Sequence, residues 1–223
     1  DYIDLYQLHW PERSTNFFGI RDYKHNYNEK WNDNFNEILN SLDGFVKEGK
    51  IRNIGISNEK SWGAMRYIEE SNKCNLPRVV TIQNAYSLLN RPFEGDLAEI
   101  SIREGIGLLA YSPLGFGVLT GKYINGTASD NSRLKLFPRF SRYSSPEATN
   151  ATKEYLKILK LAKLNGEETV KTALELVLEE NEIPSESFLK ELLEVPIKIP
   201  EVTVFSPDLS EYDKLCFIGG HKS

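Results

Sequence analysis

An α/β fold built on a parallel sheet is what this sequence predicts, and three observations predict it. Short apolar runs alternate with helical patterns from residue 1 to about residue 162. The runs are nearly continuous, as in strands covered on both faces, by helices on one side and by a barrel interior or a second helix layer on the other. Each run ends in polar residues: His9, then Ser57 and Asn58, then Gln83 and Asn84, then Tyr111 and Ser112. In parallel α/β architectures the chemistry sits at the C-terminal ends of the strands. Four polar termini in a row therefore read as one face of one site, although polar residues also mark any boundary between strand and loop.

The first strand is "IDLYQLH", in which Leu5, Gln7 and His9 alternate onto one face and Tyr6 onto the other. A polar excursion rich in Asn and aromatic residues, "STNFFGIRDYKHNYNEKW", leads to the helical "NFNEILNSLDGFVKEGK". The next strand, "IRNIGIS", precedes the helical "SWGAMRYIEESNK"; "VVTIQN" precedes "FEGDLAEISIREG"; and "IGLLAYSPLG" leads through a loop to the helix "EATNATKEYLKILKLAK". Asn165 and Gly166 form a helix stop. Beyond residue 164 the character changes to two short amphipathic helical patterns, then to a stretch punctuated by Pro196, Pro200 and Pro207. Proline cannot donate to a ladder and disfavours helix, so residues 195–207 are expected to be extended, with a short edge strand at "VTVF". No internal repeat occurs. The expected organisation is one domain over residues 1–163 and a helical, proline-rich tail over residues 164–223.

A length of 223 residues with 40% hydrophobic content places the chain among ordinary globular proteins. The net charge of -5 and the pI near 5.4 argue against a general nucleic-acid or membrane-surface role, which needs clustered Lys and Arg. The two cysteines, Cys74 and Cys216, stand in no metal-ligand spacing, so neither a disulfide framework nor a metal site is expected, and a reducing cytoplasm fits. No apolar run of about 18 residues is present, and residues 1–20 lack the basic-then-apolar pattern of a secretory signal. The sequence opens on Asp1 rather than Met, so translation is expected to start elsewhere.

Four motifs, "DLYQLHWP", "GKIRNIGISN", "VTIQNAYSLLNR" and "LLAYSPLGFGVLTGKY", together resemble the aldo/keto reductase family in their order and residues. They resemble above all the subgroup that also resembles the voltage-gated potassium channel β subunits. The resemblance covers residues 1 to about 163. It implies a partial (β/α)8 TIM barrel, about four of eight βα units, and NADPH-dependent reduction of a carbonyl. In that chemistry hydride moves from nicotinamide to a carbonyl carbon, while the developing oxyanion is oriented, polarised and protonated. By the resemblance His9 hydrogen-bonds the substrate carbonyl oxygen and Trp10 stands at the rim of the substrate pocket. Ser57, Asn58 and Gln83 hold the nicotinamide carboxamide, and Tyr111 stacks on the ring. Ser112, Pro113 and Leu114 line the pyrophosphate, and Lys122 and Arg133 match basic positions near the cofactor phosphates. Plainer roles exist for each residue taken singly. His9 can be a strand-end histidine satisfied by backbone, Ser57 or Asn58 a helix N-cap, Tyr111 core, and Lys122 and Arg133 solvated charges.

The family's proton donor is a tyrosine, assisted by a lysine and an aspartate, on elements before the strand that ends in His9. The sequence opens at that strand, and Tyr6 faces away from His9. General acid catalysis supplies roughly 10²- to 10⁴-fold, so the expectation is a truncated chain of impaired turnover. A non-catalytic NADP-binding or partner-binding remnant and a decayed gene product stand as alternatives. Where the family has an eighth strand and a basic segment for the 2′-phosphate, the acidic tail resembles the C-terminal end of an insertion-sequence transposase. Open apolar edges at "IDLYQLH" and "IGLLAYS" are expected to favour self-association.

Overall fold

The computed structural model describes residues 1–18, 20 and 22–194, so Cys216 and the stretch expected to be extended lie outside the described residues. Four strands, β1 (Ile3–Leu8), β2 (Ile51–Ser57), β3 (Val79–Ala85) and β4 (Gly107–Tyr111), pair in parallel in the order β1-β2-β3-β4. Each crosses to the next through a helix: α1 (Phe35–Lys47), α2 (Ser61–Cys74) and α3 (Leu97–Glu104). A doubly wound sheet reverses its strand order at a switch point. Here the order runs straight through, which is the arrangement of consecutive units of a (β/α)8 barrel, four of eight.

Helix α1 forms because Phe35, Leu39 and Leu42 recur at helical spacing and are buried along one face, with Glu37 and Lys47 placed to complement the helix dipole. Asn75 at φ 52° ends α2 and Gly105 at φ 65° ends α3. Both left-handed residues turn the chain back towards the next strand. The helices close over Ile54, Ile56 and Ile82, each about 1% exposed, and Leu39 is wholly buried among them. Deleting a side chain so enclosed typically costs about 2–5 kcal/mol.

Register decides which side chains reach the site. Leu8, Ile56, Ile82 and Leu108 align in one row and pack on the helices. The next row, Ser57, Gln83 and Leu109, and the earlier row of Gln7, Gly55, Thr81 and Gly107 therefore face the other way. Tyr6 aligns with Ile54 on the helix side, as its alternation in the sequence predicts. The face away from the helices is half open: Gln7, Thr81 and Gln83 are partly buried and Leu109 is exposed. Coverage on both faces, expected from the apolar runs, thus holds only on the helix side, because no opposing strand meets these inward side chains among the described residues.

After β4 the chain makes a tight loop through Gly115–Thr120, the single turn α4 (Arg133–Leu136) and then α5 (Pro146–Asn165). The hydroxyl of Ser145 accepts from the amide of Ala148 and caps α5, with Pro146 in its first turn. Gly166 at φ 92° stops α5, and the two amphipathic patterns that follow are the helices α6 (Glu167–Glu179) and α7 (Glu186–Glu194). Leu161, Val170, Ala173, Val177 and Leu189 build a second core among these three helices. No helix of the described residues is long and apolar enough to cross a membrane.

Gly55 tests the register. Gln7 Nε2 donates to Thr81 Oγ1 at 3.3 Å across β2, and a Cβ on Gly55 would stand 2.3 Å from that oxygen and 3.1 Å from Gln7 Cγ. Gly55→Ala is expected to lower the unfolding free energy by about 1–3 kcal/mol, seen as a lower urea midpoint. Adding Thr81→Ala should recover part of the loss. Identical midpoints for Gly55→Ala and the wild type would contradict the register.

Candidate active site

The ends of the four strands meet on one residue. Asn58, directly after β2, adopts φ 55°, a left-handed conformation that Asn tolerates better than most residues. Its Nδ2 donates to the carbonyl of His9 at 2.8 Å and to Ser57 Oγ at 3.1 Å, and its Oδ1 accepts from the Tyr111 hydroxyl at 2.8 Å. The Asn58 amide and the Ser57 hydroxyl both donate to the carbonyl of Gln83, at 3.0 and 2.7 Å. Asn58 thereby ties β1, β2, β3 and β4 together. Helix α2 begins only at Ser61, with Lys60 at its N-cap and no side-chain cap, so neither Ser57 nor Asn58 is a capping residue.

Beside this node lies a buried ion pair. Arg13 Nη1 and Nη2 donate to Glu59 Oε2 and Oε1 at 3.0 and 2.5 Å, and the two side chains are only 10% and 3% exposed. The guanidinium carbon is 4.8 Å from the ring centre of Trp62 and 5.8 Å from that of Phe35, a geometry that suits a cation. The Glu59 carbonyl accepts from Asn84 Nδ2 at 2.9 Å. Burial, and then the negative charge of Glu59, raise the ionisation of the nearby Tyr67 hydroxyl well above the ordinary tyrosine range.

The residues predicted from sequence occupy this face unequally. His9 is exposed at the end of β1, its ring 4.4 Å from that of Trp10 and 6.2 Å from that of Phe18. Phe18 in turn meets Trp10 at 5.9 Å and Phe17 at 5.0 Å, which forms an aromatic rim. Ser57 and Asn58 are buried, with their polar atoms engaged by the protein. Gln83 is half-buried, and its side-chain amide makes no hydrogen bond among the described residues. Tyr111 is half-buried, and burial raises its pKa against a smaller opposing pull from Arg142. Ser112, at φ 55°, is half-buried and leads into the exposed Pro113 and Leu114.

Lys122 and Arg133 stand apart, on the connection after β4. They share no hydrogen bond or ring contact with the strand-end group, and neither has an acidic partner among the described residues. The Arg133 guanidinium lies 4.9 and 4.8 Å from the ring centres of Phe116 and Phe140. Gly117, at φ 92°, makes room for Lys122, whose Cε would stand 3.0 Å from a Cβ placed there.

Arg13, Glu59, Asn84 and Arg142 carry no functional role in the sequence reading and prove central to the geometry. Arg13 and Glu59 are 46 residues apart and each looks like a loop charge; their one signal is that they flank the "QLHWP" and "GISN" stretches. Arg142 donates to the carbonyl of Phe18. A cavity of about 1130 Å³ opens beneath the aromatic excursion, lined among others by Trp31, Lys60, Trp62, Asn84 and Arg142. Of the predicted residues only Asn58 and Tyr111 border it, so it adjoins the strand-end group rather than enclosing it. Burial holds the ammonium of Lys60 below the usual lysine range, against the counter-pull of Glu59. Among the described residues no group of three His, Cys, Asp or Glu side chains could hold a metal ion.

Comparison with known proteins bears on the same residues. A family model described as the aldo/keto reductase family matches residues 1–205. The chain is similar to "Protein tas" of Escherichia coli (strain K12), 48% identical over 182 residues, covering 79% of this chain and 50% of that protein. It is 36% identical over 173 residues to an aldo-keto reductase of Babesia bovis, covering 71% of this chain and 59% of the relative. It is 27% identical over 165 residues to L-glyceraldehyde 3-phosphate reductase of Escherichia coli (strain K12), covering 73% and 47%. The chain thus spans about half the length of the curated relatives it matches.

Tyr67 gives the site a pH signature. Its ionisation in the fold lies above the ordinary value of 10.0, so the stability it contributes is complete below that pH and is lost as pH rises towards the raised folded value. Between about pH 9 and about pH 11 this amounts to about 1 kcal/mol. Urea unfolding of the wild type and of Tyr67→Phe at both pH values checks it: the variant should lose less stability, and equal losses would show that neither burial nor Glu59 raises the ionisation of Tyr67.

Proposed function

The chain belongs to the aldo/keto reductase family, and from that premise we propose that its strand ends hold NADPH for hydride transfer to the carbonyl carbon of a small substrate. The observation that carries this reading is the state of Gln83. The strand-end polar groups of Ser57, Asn58 and Tyr111 are engaged by the protein, while its own half-buried amide has no partner among the described residues. An unengaged amide beside a half-exposed tyrosine ring suits a planar carboxamide-bearing ring. The unpaired cations Lys122 and Arg133 on the following connection suit phosphates.

The residues present therefore fit the cofactor, which supplies the hydride when bound. Gln83, with Ser57 and Asn58, would hold the carboxamide, and Tyr111 would offer its ring face to the nicotinamide. Ser112, Pro113 and Leu114 would line the pyrophosphate, and Lys122 and Arg133 would meet the phosphates. The imidazole of His9 would donate to the substrate carbonyl oxygen, where negative charge develops. Trp10, packed on His9 and Phe18, would shield that oxygen from water.

Protonation of the oxygen needs an acid, and the ring neighbours of His9 among the described residues are Trp10 and Phe18, neither of which titrates. Tyr6 lies on the helix side of β1. This favours a second reading, in which these 223 residues bind NADPH without turning it over. Both readings are of a cytoplasmic protein, the first with a small carbonyl compound as its partner, and β1 and β4, the edge strands of the sheet among the described residues, would allow self-association.

Titration of the chain with NADPH, followed by cofactor fluorescence, tests the common premise. A saturable change is expected. Gln83→Leu should weaken binding at least tenfold at an unchanged unfolding midpoint, because that side chain makes no hydrogen bond among the described residues. Lys122→Met should weaken NADPH more than NADH. A linear, unsaturable titration would refute cofactor binding. NADPH oxidation with a panel of aldehydes then separates reductase from binder.

A further inference from the structure

We infer that Arg13 and Glu59 are a positioning latch, which fixes the segment bearing His9 and Trp10 against the strand end bearing Asn58 and so sets the gap between them. Its functional half rests on the cofactor reading proposed above.

Two adjacent residues at the end of β2 grip two points of the chain leaving β1. Asn58 Nδ2 holds the carbonyl of His9, and Glu59 holds the guanidinium of Arg13. The stretch between those points, which includes Trp10, is thus pinned at both ends. Without the pair its far end is held only by the exposed hydrogen bonds of Glu12 with Asn34 and of the Ser14 amide with Glu29, and the Asn58 bond remains at the other end. The latch is also tied to β3 next to Gln83, because Asn84 Nδ2 holds the Glu59 carbonyl.

The site is shaped for this pair and for little else. Both carboxylate oxygens of Glu59 are filled, Oε2 by Nη1 and Oε1 by Nη2 and by the amide of Lys60 at 2.7 Å. The guanidinium occupies a slot beside Trp62 and Phe35. At Gly63, in the first turn of α2, a Cβ would stand 2.4 Å from Glu59 Oε1 and 2.5 Å from Arg13 Nη2, so any larger residue would dislodge the pair. A planar fork satisfies this arrangement and an ammonium does not, because lysine cannot engage both oxygens in one plane. Stability alone is a poor explanation for it. Desolvation consumes most of the Coulomb attraction of a buried pair, and apolar replacements of similar volume commonly hold a fold as well. What such a pair supplies that apolar side chains do not is a direction and a distance.

The test uses the full 223-residue chain and two variants, Arg13→Lys and the double variant Arg13→Met/Glu59→Met, which strands no charge should the first fail to fold. Amide hydrogen exchange by mass spectrometry over residues 9–16 should accelerate at least tenfold in both variants, with α1 and β3 unchanged. NADPH affinity should fall at least fivefold in the double variant at a thermal midpoint close to that of the wild type. Unchanged exchange over residues 9–16 would overturn the latch. Faster exchange with undiminished NADPH affinity would leave the pair structural and overturn its positioning role. If the wild type binds no NADPH, it is the cofactor reading that fails, and the latch then stands or falls on the exchange data alone.

Discussion

The side-chain amide of Asn58 is the interaction on which the strand-end face depends. A parallel sheet offers no turn between neighbouring strands, so nothing local holds their C-terminal ends in step. Here one residue does so: the side-chain amide, with both donors and its acceptor in use inside a setting that is almost dry, reaches His9, Ser57 and Tyr111, and the backbone amide of the same residue donates to Gln83. Each such bond adds only about 1 kcal/mol net, but leaving a buried partner unsatisfied costs about 1–3 kcal/mol. The node is therefore close to all-or-none, and the left-handed turn at Asn58 is what brings its amide level with His9 and Tyr111.

Around the node the polar groups divide by whether the protein has already used them. Ser57, Asn58, Glu59 and Arg13 are buried and engaged by the protein. Among the described residues the Gln83 side chain makes no hydrogen bond, and Lys122 and Arg133 have no acidic partner. Engaged groups meet a ligand only through the lone pairs left on their oxygens, and they are suited above all to holding geometry. Open groups gain from a ligand without that restriction. The same division separates residues expected to matter for rigidity from residues expected to matter for recognition.

The helical unit of α5, α6 and α7 follows a different logic. Its core of Leu161, Val170, Ala173, Val177 and Leu189 is separate from the core beneath the sheet, and α5 joins it to the loop after β4. The family model matches residues 1–205, which include this unit. Helix α5 runs to Asn165 before Gly166 stops it.

Much of the fold is legible in the sequence because its signals are local. Strand runs, helical spacing at Phe35, Leu39 and Leu42, the stop at Gly166 and the alternation that turns Tyr6 away from His9 all act over a few residues, and all appear as read. The family motifs add which strand ends to watch. What the sequence cannot express is pairing across distance. Arg13 and Glu59, 46 residues apart, and Asn58 with Tyr111, 53 apart, become partners only when parallel crossovers bring their strands side by side. The sequence by itself determined the elements, their order and the polar character of their ends, because propensity and periodicity are properties of short segments. Only the tertiary structure decided which polar groups are spent on one another and which are left for a ligand, because burial and hydrogen-bond geometry are properties of the packed chain.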